Sequence, residues 1–250
     1  MYAESTSLHK KIDSVTVRNS RVIRGLSHKD LEQTLTGHAF NKTYRYGKNL
    51  FLGLDHGKWL TMHFGMTGFL KYYKNDEEKP PHERVAIHFE NGYTLAFDCL
   101  RMLGRINLTD DPEDYIQNKH LGPDALEIDQ ETFIDKIKSK KRSNLKATLM
   151  KQELISGIGN VYSDEILFQA GLNPKKTASE LDDETLVRLF HVTHDVLEKA
   201  VTSETNHEDM PETFLLLNRK KGKACPKGNG KIQTMKVAGR TAYYCDSCQA

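Results

Sequence analysis

The chain has 250 residues, with 36 Lys and Arg against 34 Asp and Glu, a formal net charge of +2 and a hydrophobic fraction of 38%. That balance excludes a histone-like tail and an acidic disordered protein, and no apolar run approaches the ~18 residues of a membrane span. The start, Met1-Tyr2-Ala3-Glu4-Ser5-Thr6-Ser7, puts no apolar segment behind a basic one, so no secretion signal is expected. Three of the four cysteines fall in the last 26 residues, a spacing that reads as a metal site in a reducing, intracellular compartment rather than a disulfide framework.

In chain order, residues 8–105 are rich in short β-branched or aromatic runs: Val15–Val17, Thr43–Tyr46, Leu50–Leu54, Trp59–Phe64, Ala86–Phe89 and Thr94–Phe97. Asp55-His56-Gly57 and Glu90-Asn91-Gly92 supply turn chemistry between them, which predicts an antiparallel sandwich or barrel. One helix interrupts, with Ser27 capping Asp30–Leu35 and Gly37 ending it. After about Asp110 the pattern becomes helical, over Asp129–Ile137, Leu145–Ile155, Val161–Gln169 and Asp182–Val201, with breaks at Gly157-Ile158-Gly159-Asn160 and Gly171-Leu172-Asn173-Pro174. From Arg219 the chain is Gly- and Lys-rich and ends in cysteines. The expected class is α+β with three modules: a β-sandwich over 1–110, a helical module over 111–218 and a small β-hairpin over 219–250.

The near-neutral total hides segregation. Lys136–Lys151 carries seven basic residues and no acid, and Arg219–Arg240 carries eight and no acid. Two such runs create local positive fields that attract a phosphate backbone, although a single run is commonly only a solvated face. At the helix break, Gly157 and Gly159 free the backbone to take φ > 0, and Asn160 is expected to cap the following helix with its N–H groups facing an anion.

Leu121-Gly122-Pro123-Asp124-Ala125-Leu126, Lys146–Gln152 and Gly157–Pro174 resemble the helix–two-turn–helix region of formamidopyrimidine-DNA glycosylases and endonuclease VIII. Val17-Arg18-Asn19 and His63-Phe64-Gly65-Met66-Thr67-Gly68 are similar to that family's β-sandwich segments, and Gly239–Gln249 resembles its zinc-finger hairpin. The resemblance implies a monomeric protein of the nucleoid, acting on damaged or distorted double-stranded DNA in base excision repair, away from any membrane. It implies phosphate contacts from Lys48, Asn160 and Arg240, and side chains that fill the gap of an extruded nucleotide at Met66, Arg101 and Leu103. Taken alone, Met66 and Leu103 would be read as core residues.

The family's chemistry uses an N-terminal Pro amine and an adjacent Glu. Aligned on Val17-Arg18-Asn19, this chain starts about a dozen residues later, and neither residue nor most of the first helix has a counterpart; its free amine would belong to Met1. The expectation is a DNA-binding relative without that Pro-amine chemistry. Two alternatives stand beside it: excision by another residue, with Glu4 activating water or Lys48 serving as amine, and an RNA-binding protein. Cys225, Cys245 and Cys248 stand where the family places Zn2+ ligands, but the fourth position is Gly228, whereas a structural zinc site closes with four. His63 and His88 are read as packed or surface residues, Cys99 as a buried apolar residue, and Thr202–Thr213 as short for the family's lesion-covering loop.

Overall fold

The computed structural model describes residues 2–203 and 209–249, and the chain divides after Lys119 into two compact units. Among the described residues no helix is long and apolar enough to cross a membrane. The short apolar runs of the first unit form two four-stranded antiparallel sheets. One has the order β1-β6-β7-β5, formed by Ile12–Val17, Glu83–Phe89, Thr94–Cys99 and Gly68–Tyr73. The other has the order β2-β3-β4-β8, formed by Phe40–Tyr46, Asn49–Leu54, Trp59–His63 and Arg105–Thr109. Ile12, Ile87, Leu95 and Phe97 of the first sheet share one core with Leu52, Leu60, Met62 and Ile106 of the second, each at most 1% exposed. At roughly 1.5–3 kcal/mol per fully buried aliphatic or aromatic side chain, this shared core dominates the stability of the unit.

Three α-helices complete the described residues of the unit. Helix α2, His28–Leu35, starts at Ser27 through a capping box with Asp30 and buries Leu31 and Leu35. Helix α1, Tyr2–Ser7, was not expected from the sequence; it buries Ala3 and Ser7, and the Tyr2 hydroxyl accepts the Tyr72 N–H of edge strand β5 at 2.8 Å. Helix α3, Pro112–Asn118, takes Asp111 as its cap and Pro112 at its first turn.

The second unit is helical and ends in a strand pair. Helix α4, Gln130–Lys138, is capped by Asp129, and helix α7, Asp183–Thr202, by Asp182. The long helix expected over Leu145–Ile155 is corrected to a short α5, Leu145–Leu149. Beyond it the backbone bonds sideways: the Gln152 carbonyl accepts the Gly122 N–H at 2.8 Å, and the Ser156 N–H donates to the Pro123 carbonyl at 2.8 Å. Gly122 is required there, because a Cβ would stand 2.4 Å from the Leu154 carbonyl oxygen. Helix α6 covers Asn160–Gln169, and strands β9, Ile232–Val237, and β10, Arg240–Cys245, pair antiparallel. A small apolar cluster of Phe168, Leu215, Cys225, Ile232 and Cys245 packs this pair against α6.

Candidate nucleic-acid interface

In the first unit the glycines decide how two loops meet. The β4–β5 loop, residues 64–67, and the β7–β8 loop, residues 100–104, lie in contact: a Cβ on Gly65 would stand 2.7 Å from the Leu103 carbonyl carbon, and Gly65 takes φ +66°. Gly104 is as tightly held, with a Cβ position 2.6 Å from the Phe97 ring. Hydrogen bonds fix the junction. The Arg101 N–H donates to Thr67 Oγ1 at 3.1 Å, and the Arg101 guanidinium reaches Met66 Sδ at 3.3 Å. Arg84 Nε donates to the Cys99 carbonyl at 2.9 Å, and the buried Cys99 thiol accepts the Gly104 N–H at 3.4 Å. Met66 is 67% exposed and Leu103 47%. Neither is a core residue, and the structure brings both together with Arg101 on one projecting edge.

A basic rim adjoins this edge. Asn49, His63 and Arg105 are register partners across β3, β4 and β8; Asn49 follows Lys48, His63 directly precedes the β4–β5 loop and Arg105 directly follows the β7–β8 loop. Lys48 is exposed after Gly47, whose carbonyl is braced by Arg45 Nη1 at 3.0 Å. The half-buried His63 imidazole is held below its usual range, first by burial and then by the Lys48 and Arg105 charges. Its Nδ1 lies 3.0 Å from the Gly65 N–H, so the neutral ring accepts there and carries its proton on Nε2. Sequence reasoning read His63 as a packed or surface residue and did not single out Arg105; the strand register sets the two side by side, next to Lys48.

Glu4 lies on α1. Its carboxylate accepts the Thr43 hydroxyl at 2.6 Å, and this bond holds it below the usual carboxylate range. The Met1 amine lies outside the described residues.

In the second unit the break before α6 differs in detail from expectation. Gly157 takes φ +112°, but Gly159 is extended (φ −112°, ψ −177°) and is itself the N-cap. Asn160 is therefore the first residue of α6, not its cap. The reason is local: the Gly159 carbonyl already accepts the Ser163 N–H at 2.9 Å, and a glycine cap offers no side-chain acceptor. The N–H groups of residues 160–162 precede that ladder, and Asn160 Oδ1 is buried without a hydrogen-bond partner. Gln152 laces the turn, donating to the Met150 and Ile158 carbonyls at 2.9 and 2.8 Å and accepting the Gly157 N–H at 3.1 Å.

Lys146, from the middle of the first basic run, is fully buried. Its ammonium donates to Asp164 Oδ1 at 2.6 Å, Ser163 Oγ at 2.9 Å and the Asn160 carbonyl at 3.1 Å. Asp164 also takes Arg219 Nη2 at 2.7 Å, and the Arg219 guanidinium lies 4.4 Å from the Tyr243 ring centre. Burial pushes the Lys146 ammonium down and the Asp164 carboxyl up, and their mutual contact opposes both shifts. The exposed Arg240, at the start of β10, also lowers Lys146, so the hairpin arginine and the start of α6 share one positive neighbourhood. Arg219, Lys220, Lys221 and Lys223 line a surface concavity around Gly222.

At the chain end, the Sγ atoms of Cys225, Cys245 and Cys248 lie within 4.8 Å of one another, with Cys225 and Cys248 3.5 Å apart. Three thiols so placed can hold a metal ion. Among the described residues no fourth His, Cys, Asp or Glu joins them. Gly228 fills that corner, where a Cβ would stand 3.4 Å from Cys248 Sγ. The donor set is that of a zinc finger short of one ligand.

A two-sheet unit, a helix–two-turn–helix turn laced by Gln152 and a cysteine-bearing strand pair together define the class of helix–two-turn–helix DNA-repair proteins. Comparison with known proteins gives the family. Residues 2–106 match the formamidopyrimidine-DNA glycosylase N-terminal domain, and residues 121–210 match the formamidopyrimidine-DNA glycosylase H2TH domain. The formamidopyrimidine-DNA glycosylase of Pelotomaculum thermopropionicum is 32% identical, over 96% of this chain and 91% of its own length. That of Arabidopsis thaliana is 33% identical, over 98% of this chain and 67% of its own. A crystal structure of Lactococcus lactis Fpg in complex with abasic-site DNA superposes with a TM-score of 0.88 at 26% identity, covering 100% of this chain and 96% of that one. A complex of the same protein with FAPY-dG-containing DNA gives 0.87 at 26% identity, covering 99% and 96%. The chain belongs to the formamidopyrimidine-DNA glycosylase family.

Proposed function

We propose that this chain recognises damaged, abasic or distorted duplex DNA as a monomer. Lys48, Asn160 and Arg240 contact phosphates, and Met66, Arg101 and Leu103 fill the gap left by an extruded nucleotide. The observation that carries this reading is the joined edge at Gly65 and Gly104. It holds two apolar side chains in solvent beside an arginine and a basic rim, an arrangement that is costly unless something covers it. Asn160 Oδ1, buried and unpartnered at a helix start, supports an approaching hydrogen-bond donor or a rotated amide on a phosphate. Cys225, Cys245 and Cys248 hold Zn2+ in this reading, which fixes Arg240 relative to α6.

The same reading has these 250 residues bind without Pro-amine chemistry. Their seven prolines begin at Pro80, Glu4 is engaged by Thr43, and the Lys146 ammonium is enclosed against Asp164. Borohydride trapping of the 250-residue protein on an abasic-site duplex tests it. The expected result is a gel-shifted complex, preferred over plain duplex and over RNA, with no covalent adduct. A trapped band lost on Lys48→Gln would assign the chemistry to Lys48 instead, and a preference for RNA would overturn the reading altogether.

A further inference from the structure

The basic run Lys136–Lys151 is not one face in the folded chain. Lys146 is buried, and Lys138 Nζ is paired with Asp183 at 2.7 Å. Lys140, Lys141 and Arg142 remain as the exposed tip of the connection between α4 and α5. The fold carries a second basic pair, Lys175-Lys176, to this tip from beyond the end of α6. Asn144 Nδ2 donates to the Lys175 carbonyl at 2.8 Å, the Leu145 N–H to the Lys176 carbonyl at 2.7 Å, and the Ser179 N–H to the Lys141 carbonyl at 3.2 Å.

Among the described residues no carboxylate pairs with Lys140, Lys141, Arg142 or Lys175, all four of which are exposed. Two nearby acids are committed elsewhere. Glu180 closes the Thr177 capping box, bonded at 2.7 Å to its N–H and 2.6 Å to its hydroxyl, and Asp183 holds Lys138. Two segments distant in sequence therefore concentrate like charge on one surface, an arrangement that attracts a polyanion.

We infer that Lys140, Lys141, Arg142 and Lys175 form a second phosphate-binding surface, which takes the backbone of the same duplex beyond the Asn160 contact. The inference rests on the reading that duplex DNA lies at Asn160, and extends it. Lys146 relates the two places: its backbone N–H donates to the Pro174 carbonyl at 3.4 Å and its ammonium to the Asn160 carbonyl at 3.1 Å. The backbone nitrogen and ammonium of one extended lysine lie at most about 7 Å apart, so the Pro174 and Asn160 carbonyls are within about 14 Å of each other. One strand of a duplex carries a phosphate per about 3.4 Å of axis, so this surface meets phosphates up to about four base pairs from Asn160. A protein partner is disfavoured because a stable protein interface needs an apolar centre. The exposed large hydrophobic residues, such as Met66, Phe69, Leu100 and Val201, all lie outside this surface.

The test is fluorescence anisotropy with abasic-site duplexes of two lengths: one ending about two base pairs from the lesion on each side, one extending about twelve. The variant K140S/K141S/R142S/K175S is compared with the unaltered chain across a salt series. On the long duplex the slope of log Kobs against log[salt] is expected to become shallower by about two to four, at about 0.9 per lost phosphate contact, while short-duplex binding is unchanged. A variant with Lys140, Lys141 and Lys175 changed to Arg retains the long-duplex slope. If the quadruple variant does not fold, K141S/R142S replaces it, with a slope change of about one to two. Equal slopes for variant and unaltered chain on the long duplex overturn the inference and leave the lesion-binding reading intact. Failure of the unaltered chain to bind either duplex overturns that reading first.

Discussion

Met66 and Leu103 show how little an apolar side chain's identity says about its place. By residue type they match the core; by contact they sit on loops whose glycines let two backbones touch, leaving the side chains outside. Met66→Ala is therefore expected to leave the urea midpoint nearly unchanged, within about 0.5 kcal/mol, as is usual for an exposed position. The same variant should lose preference for abasic over plain duplex by about tenfold, since unstacking costs a few kcal/mol that the plug partly offsets. Competition anisotropy with the two duplexes reads the ratio; an unchanged ratio removes Met66 from recognition. His63 makes the complementary point, because its neighbours Lys48 and Arg105 are set by strand register and not by adjacent sequence.

Elements are tied together by a few buried ionic groups. Glu83 of β6, 4% exposed, accepts Arg18 Nε at 2.7 Å and the Tyr73 hydroxyl of β5 at 2.7 Å. Burial alone would raise its carboxyl, but Arg18, Tyr73 and Lys79 outweigh burial and hold it below the usual range. A carboxyl whose folded pKa is depressed stabilises above its unfolded value, about 4.3, and that stability is lost as pH falls through the folded value. Urea midpoints measured from pH 6 down to pH 3 should fall more steeply for the unaltered chain than for Glu83→Gln; parallel curves would remove Glu83 from the acid limb. In the second unit, Asp164→Ala leaves Lys146 as a buried charge without its carboxylate, at a cost of about 3–5 kcal/mol. Hydrogen exchange should then quicken together in α5, α6 and the segment around Arg219. Quickening confined to α6 would show that the three are not held as one.

The sequence made some of these elements plain and hid others. Ser27, Asp129 and Asp182 announced helix starts because a cap is a contact with the next three residues. Strands β5 and β8 were not read, because Gly68–Tyr73 and Arg105–Thr109 mix polar and apolar residues and gain their pairing only from β7 and β4. The end of α5 was misplaced because the backbones of Gln152 and Ser156 bond to Gly122, Pro123 and Ala125, far away in sequence, while Leu154 and Ile155 make only a local turn on Lys151.

At the scale of the molecule, each unit has its own apolar core, and the only tryptophan, Trp59, belongs to the first. That gives a clean probe for the metal. Gly228→Cys completes a four-thiolate set and is expected to raise zinc affinity at least about tenfold, since a closed set of four is the structural norm. It should raise the melting temperature followed by far-ultraviolet circular dichroism in the presence of zinc, with the Trp59 fluorescence transition unmoved. Competition with a chromophoric chelator measures the affinity. No gain over the unaltered chain would mean that the corner at Gly228 does not face the ion.

From residues alone came the α+β class, the helix starts, the charge segregation and the motifs that place the chain in its family, since all of these reside in local chemistry or in short patterns. Only the folded chain decided that Lys146 is buried while Lys141 and Lys175 share a surface, that Gly159 and not Asn160 caps α6, and that Met66 meets Arg101. Those outcomes depend on which distant backbones donate and accept, and solvent exposure is fixed by that pairing rather than by the identity of any single side chain.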